Sequence, residues 1–98
     1  MSRKIKVEEG SGNVFRDIGF SEAEAENLKL RSTLMMRVEK FVKQSELTQT
    51  EAAKQLGITQ PRLNQLLKGK IQLFSLDALV NMLANAGLRV RMTVKLAA

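Results

Sequence analysis

The sequence predicts a mainly α-helical fold, a bundle of about four to five helices followed by a C-terminal β-strand. Apolar residues recur every three or four positions through most of the chain, as on one face of a helix. Serine or threonine followed three residues later by glutamate marks helix starts, and after residue 87 the apolar period shortens to two. The 98 residues suffice for one domain, which we place at 13–98 after an arm at 1–12.

The first 20 residues fall into two parts. Residues 1–12 combine a basic cluster, a short Ile5/Val7 alternation and a Gly-Ser-Gly stretch, which favours a flexible terminus. A basic arm on DNA and a strand added to a partner are the alternatives. Residues 13–20, NVFRDIGF, are too apolar for a solvated linker, and we expect them to pack against the helices as a hook.

A long helix is predicted from Ser21 to about Ser45. Ser21 and Glu24 form a capping box, and the acid-rich first turn suits the positive end of the helix dipole. The segment contains no glycine or proline. Its predicted core stripe consists of Leu34, Met35, Val38, Phe41 and Val42.

Residues 47–70, LTQTEAAKQLGITQPRLNQLLKGK, predict two short helices joined by a glycine turn. Thr48 and Glu51 form a second capping box, and Gly57 suits the left-handed residue that ends a helix. Thr59 caps the next helix, where Pro61 in the first turn costs little because its missing N–H has no helical partner.

The second of these helices separates its side chains by face. Three leucines gather on one side, and mainly polar or basic residues occupy the other. The leucines are Leu63, Leu66 and Leu67, and the opposite face holds Pro61, Gln65 and Lys68, flanked by Gln60, Arg62 and Asn64. Such a helix is packed by its leucines and presents amides and cations to a partner.

These motifs resemble the helix-turn-helix of the phage-repressor and Cro superfamily, the XRE family. The matching features are the L-T-Q-x-x-x-A run, the G-[IV]-[ST]-Q turn and the closing L-x-x-G-K, which together cover about a quarter of the chain. The resemblance implies a lambda-repressor-like bundle whose second short helix lies in the DNA major groove.

The resemblance also implies roles for individual residues. Gln60 and Gln65 can offer the hydrogen-bond donor and acceptor that adenine requires, and Arg62 can donate two hydrogen bonds to guanine. Pro61 offers only apolar contact. Gln49 is expected to touch phosphate and support Gln60. Further candidates for phosphate contacts and positioning are Thr59, Asn64, Lys68 and Lys70, although the lysines and Thr59 also fit ordinary surface and capping roles.

The C-terminal part predicts one more helix and then a strand. Ser75 caps the helix, its apolar residues repeat at helical spacing, and Ala86-Gly87 ends it. Residues 88–96 alternate apolar and polar side chains, as in a half-buried strand. A strand on a helical domain invites another chain, so we expect a homodimer through Val90, Met92 and Val94. The alternatives are pairing with a different partner chain and pairing with Ile5/Val7 of the same chain.

The flanking segments carry a second resemblance, to the HigA-type antitoxins and their stand-alone relatives. It rests on G-S-G-N-V-F-R-D-[IL]-G at 10–19, on F-S-L-D-x-L at 74–79 and on the basic strand at 88–95. It implies a small basic ribonuclease toxin as a partner, with the acidic first turn of the long helix and the hook as candidate surfaces.

Composition excludes several other classes of protein. The chain has no cysteine or histidine, so disulfides and thiolate or imidazole metal ligands are ruled out, and we expect no cofactor and no metal. No apolar run reaches the roughly 20 residues of a membrane span, and a cytoplasmic protein without membrane contact is expected. The acidic residues are not accompanied by a glycine-rich phosphate-binding loop or by a cluster of metal ligands, so an enzyme is the least favoured class of protein.

Charge and motif together favour DNA as the partner. The net charge is +6, and residues 47–70 alone carry +3. We therefore expect a dimeric repressor of a palindromic operator, acting as the antitoxin of a toxin–antitoxin pair. The alternatives are a stand-alone regulator of the same fold and a protein-interaction module that does not bind DNA.

Overall fold

The computed structural model describes residues 13–96, and they form five α-helices and one turn of 3₁₀ helix. The predicted arm at 1–12, with Ile5 and Val7, lies outside the described residues. The helices are α1 (Val14–Asp17), α2 (Glu22–Ser45), α3 (Gln49–Leu56), α4 (Gln60–Leu67) and α5 (Leu76–Asn85), and the 3₁₀ turn is Ile71–Leu73. Because α2 contacts every other helix and the 3₁₀ turn, it is the axis of the bundle.

The long helix α2 begins and ends close to the predicted residues. The Ser21 hydroxyl accepts from the Glu24 N–H, and the Glu24 carboxylate accepts from the Ser21 N–H, which completes the capping box. At the other end Glu46 adopts a left-handed conformation, φ 61°. The Ser45 hydroxyl accepts from the Leu47 N–H at 3.1 Å, which satisfies a backbone donor at this glycine-free helix end.

One hydrophobic core joins α2, α3, α4 and α5. Of the predicted α2 stripe, Leu34, Met35 and Val38 are buried, while Phe41 and Val42 are half-buried against them. The largest side chain in the centre is Phe74, fully buried at the residue before the N-cap of α5. The side chains that α3, α4 and α5 bury around it are Ala52, Ala53, Leu56, Leu63, Leu66, Leu79, Met82 and Leu83.

The hook at 13–20 does pack on α2, but through fewer apolar groups than its composition predicted. Its anchor is Asn13, which is 3% exposed and donates to the Ala25 carbonyl at 2.8 Å. The same side chain caps α1 by accepting from the Phe15 N–H. Val14 and Ile18 remain 60% and 66% exposed. A buried amide, which the sequence did not single out, therefore holds the hook.

An exposed ion pair also ties α1 to the start of α2. The Arg16 guanidinium donates to the Glu22 carboxylate at 2.6 Å, and that hydrogen bond raises the pKa of Arg16. Solvent screens such a pair, so it contributes little to stability.

The prediction of a β-strand at 88–96 is wrong for the single chain. Residues 88–96 are not helical and join no β-ladder among the residues that the structure describes. A strand needs a neighbouring backbone for its hydrogen bonds, and the helices saturate their own. Leu88 and Val90 still pack against the core, whereas Met92, Val94 and Leu96 are 50%, 89% and 94% exposed.

Candidate nucleic-acid interface

The turn between α3 and α4 has the predicted backbone geometry. Gly57 is left-handed at φ 78°, and its N–H caps the end of α3. Ile58 is half-buried against the core, so the corner between the helices is filled. Thr59 then caps α4 by accepting from the Arg62 N–H at 3.3 Å, and Pro61 occupies the first turn. These features fix the direction in which α4 leaves the bundle.

Asn85 at the end of α5 holds this turn from behind. Its Nδ2 donates to the Leu56 carbonyl at 3.1 Å, satisfying an acceptor at the end of α3. The Asn85 amide fills the space beside Gly57, since a Cβ on Gly57 would collide with Asn85 Nδ2. The sequence did not identify Asn85, because its partner lies 29 positions away.

The two faces of α4 differ in burial as the sequence predicted. Leu63 and Leu66 are buried, and Leu67 is half-buried against the core. The other face is open to solvent, and all but one of the predicted DNA contacts are exposed. The exposed candidates are Gln49, Thr59, Gln60, Pro61, Asn64, Gln65, Lys68 and Lys70.

Arg62 is the exception, because its side chain is turned towards the protein. Nη2 donates to the Leu73 carbonyl at 3.2 Å, and the guanidinium carbon lies 4.5 Å from the centre of the Phe74 ring. This is cation–π distance. Arg62 therefore joins α4 to the loop that precedes α5, and a base contact requires it to leave both partners.

A second arginine holds the same loop from α2. Arg31 lies within hydrogen-bond distance of the Ile71 and Phe74 carbonyls, at 3.3 and 3.4 Å, and its Nε donates to Asn27 at 2.7 Å. The carbonyls of three loop residues thus accept from two guanidinium groups. Arg31 showed no sequence signal other than its charge.

Gln60 is supported by a neighbour other than the predicted one. The Thr50 hydroxyl donates to Gln60 Oε1 at 3.0 Å. Gln49 makes no hydrogen bond to Gln60 in the described part of the chain, and its side chain is exposed. The residue that orients Gln60 is therefore Thr50, one position after the expected one.

Three of the candidate phosphate contacts, Thr59, Lys68 and Lys70, lie at or just beyond the two ends of α4. Thr59 uses its oxygen as an acceptor for the cap, which leaves its hydroxyl hydrogen free to donate. Lys68 is the C-cap residue, and Lys70 follows the left-handed Gly69. An eight-residue helix is about 12 Å long, so the lysines and Thr59 bracket the exposed face of α4.

A helix-turn-helix domain family model matches residues 14–95, which include every helix described above. This chain belongs to the helix-turn-helix domain family. A comparison with curated proteins found no match. Membership indicates a DNA-binding regulator, and α3 and α4 are the two short helices that the glycine turn joins.

In this helix-turn-helix protein the described residues contain no group of three or more acidic, histidine or cysteine side chains placed to hold a metal ion. Within the same residues, no helix has both the length and the apolar character needed to cross a membrane. The exposed face of α4 is the candidate site.

Proposed function

We propose that this chain is a sequence-specific DNA-binding transcriptional regulator that inserts α4 into the major groove. The proposal rests on one observation, which is that the leucine side chains of α4 are buried while its amide side chains are exposed to solvent. Amide side chains can match base edges, and the width of the major groove admits one helix. We also propose that the chain is not an enzyme.

The proposed base contacts are made by Gln60, Pro61, Arg62 and Gln65. Gln60 and Gln65 are exposed and need no rearrangement to reach a base. Arg62 must first leave the Leu73 carbonyl and the Phe74 ring. We therefore propose that the two glutamines make the first contacts with bases. Arg62 then joins them by giving up its contacts with Leu73 and Phe74.

Two copies of α4 are needed to contact enough base pairs for a specific operator. One helix contacts only a few base pairs, and a dimer places two such helices about 34 Å apart on a palindromic site. We propose that residues 88–96 pair with a second copy. Support comes from their alternating sequence and from the exposed apolar side chains of Met92, Val94 and Leu96.

Selection of bound sequences from a pool of random duplexes tests the DNA-binding proposal. We expect a palindromic site whose half-sites are one helical turn apart, and binding that weakens as salt is raised because phosphate contacts release counterions. Failure to enrich any sequence, together with salt-insensitive behaviour, would instead support a protein-interaction module of the same fold.

We further propose that the regulator is the antitoxin of a toxin–antitoxin pair, by its resemblance to the HigA-type proteins. The hook offers a docking surface for a small basic toxin, since Val14, Ile18 and Phe20 are exposed beside the acidic first turn of α2. The first evidence to seek is a neighbouring reading frame that encodes a basic protein of about a hundred residues.

Co-purification with that neighbour tests the antitoxin role. Ile18→Asp is expected to abolish the complex while DNA binding is kept, because Ile18 is 66% exposed and remote in sequence from α4. A chain without such a neighbour, or one that does not bind it, would be a stand-alone regulator.

A further inference from the structure

The side chains of Thr50 and Gln60 connect the beginnings of the two motif helices. Thr50 is the second residue of α3, Gln60 is the first of α4, and the Thr50 hydroxyl donates to Gln60 Oε1 at 3.0 Å. No other hydrogen bond between side chains joins α3 to α4 within residues 13–96. Both residues are exposed, so the bond lies on the surface proposed to meet DNA.

The position of Thr50 in its helix leaves its hydroxyl available for this bond. A threonine deeper in a helix usually donates to the carbonyl four residues earlier. Thr50 lies in the first turn, and the residue four positions earlier is Glu46, which is left-handed and outside both helices. The hydroxyl therefore has no helical carbonyl to compete with Gln60.

The hydrogen bond determines which atoms of Gln60 face outward. A primary amide is planar, with a carbonyl oxygen on one side and an NH₂ group with two donor hydrogens on the other. Since Oε1 is directed to Thr50, Nε2 is directed away from α3. Nε2 makes no hydrogen bond in the part of the chain that the structure describes, so both of its hydrogens are available to a ligand.

A glutamine held in this way matches guanine better than adenine. Adenine presents an acceptor, N7, beside a donor, N6–H₂, and a bidentate contact requires both Nε2 and a lone pair of Oε1. Guanine presents two acceptors, N7 and O6, and can receive both Nε2 hydrogens. The Thr50 hydroxyl occupies one of the two lone pairs of Oε1, so the N6–H₂ of adenine has to share that oxygen with Thr50.

We propose that Thr50 is a specificity-determining positioning residue, which orients Gln60 so that it selects guanine in each half-site. The inference rests on the proposed DNA-binding function and replaces, for Gln60, the adenine preference expected from the sequence. Thr50 need not touch the base, because it acts by holding Oε1.

Site selection with matched variants tests this role. Gln60→Ala identifies the base position that depends on Gln60, because the preference there is lost. Thr50→Val removes the hydroxyl but keeps the size and branching of the side chain, whereas Thr50→Ser keeps the hydroxyl. Thr50→Ala is a second variant without the hydroxyl, and thermal unfolding establishes that each variant folds.

At the Gln60-dependent position we expect wild type and Thr50→Ser to prefer guanine over adenine by about 5-fold or more. Thr50→Val and Thr50→Ala should reduce that preference below about 2-fold and leave the other positions unchanged. A bidentate contact discriminates by about this amount or more, which makes the loss measurable.

Two results would overturn the role of Thr50 while leaving the proposed function intact. They are a wild-type preference for adenine at the Gln60-dependent position, and an unchanged guanine preference in both variants that lack the hydroxyl. Failure of the wild type to enrich any sequence would have a different meaning, because it would overturn the DNA-binding proposal together with this inference.

Discussion

The Arg62 guanidinium carbon lies 4.5 Å from the centre of the Phe74 ring, so the arginine of the exposed helix is held by the largest residue of the core. The same side chain donates to the Leu73 carbonyl at 3.2 Å. This arrangement couples the orientation of α4 to the loop before α5. It gives Arg62 a structural role in addition to any contact with DNA.

Replacing Arg62 by methionine should destabilise the protein although the site is at the surface. The variant keeps an apolar stem but loses one hydrogen bond and one cation–π contact, together worth about 1 kcal/mol in the free energy of unfolding. Denaturant unfolding measures the change, and a double-mutant cycle with Phe74→Leu should give a coupling energy of about 0.5–1 kcal/mol.

Arg37→Met is the matched control for that experiment. Arg37 is exposed on α2 and makes no ion pair or side-chain hydrogen bond within the described residues, so its replacement should change stability by less than about 0.5 kcal/mol. If Arg62→Met were no more destabilising than Arg37→Met, the contact with Phe74 would have no energetic role.

Alanine at Gly57 should be more destabilising than alanine at Gly69. Both glycines are left-handed, at φ 78° and 80°, so both substitutions carry a backbone penalty of about 1 kcal/mol. Only at Gly57 would the new Cβ meet the Asn85 amide, whereas nothing lies within 4 Å at Gly69. Moving Asn85 would leave the Leu56 carbonyl unpaired, at a further cost of about 1–3 kcal/mol.

Denaturant unfolding of the two glycine variants isolates the contribution of Asn85. Equal losses of stability would mean that the Asn85 side chain moves aside freely. In that case its bond to Leu56 would not hold α5 against α3.

Alanine at Lys68 and alanine at Gln65 should change DNA binding in different ways. Lys68 is expected to contact phosphate, so its loss weakens binding to all sequences alike and reduces the slope of log K against log salt by about 1. Gln65 is expected to contact a base, so its loss weakens binding to the selected site by about 1–3 kcal/mol and leaves the slope unchanged.

Fluorescence anisotropy at several salt concentrations, on a selected and a random duplex, measures both effects. The two variants serve as controls for each other because both residues are exposed near the end of α4. A Gln65→Ala variant with equal losses on both duplexes would contradict a base contact.

Aspartate at Val94 should prevent dimer formation without affecting the fold of the single chain. Val94 is 89% exposed, so a carboxylate there remains solvated in the monomer but would be buried in a paired apolar face. Sedimentation at micromolar concentration should find a wild-type dimer and a Val94→Asp monomer. Lys95→Asp, on the polar side of the alternation, is the control and should remain dimeric.

A monomeric wild type in that experiment would refute the dimer proposed through residues 88–96. It would leave the DNA-binding proposal to be tested by site selection alone.

Local sequence determined the four longer helices, α2 to α5, and their ends. Capping side chains, left-handed glycines and apolar periodicity act over three or four residues, so Thr48, Gly57 and Thr59 were assigned correctly without a structure. The same local rule separates the buried leucines of α4 from its exposed amides. The helix-turn-helix class followed from these features and from the motif that they form.

Only the tertiary structure decided which polar groups meet. The Asn13 bond to Ala25, the Arg62 contacts with the loop and the Asn85 bond to Leu56 join residues from different elements, and their side chains carry no periodic signal. The strand expected at 88–96 failed for a related reason. Alternation specifies a face, but β-structure also requires a neighbouring backbone, and residues 13–96 of a single chain do not provide one.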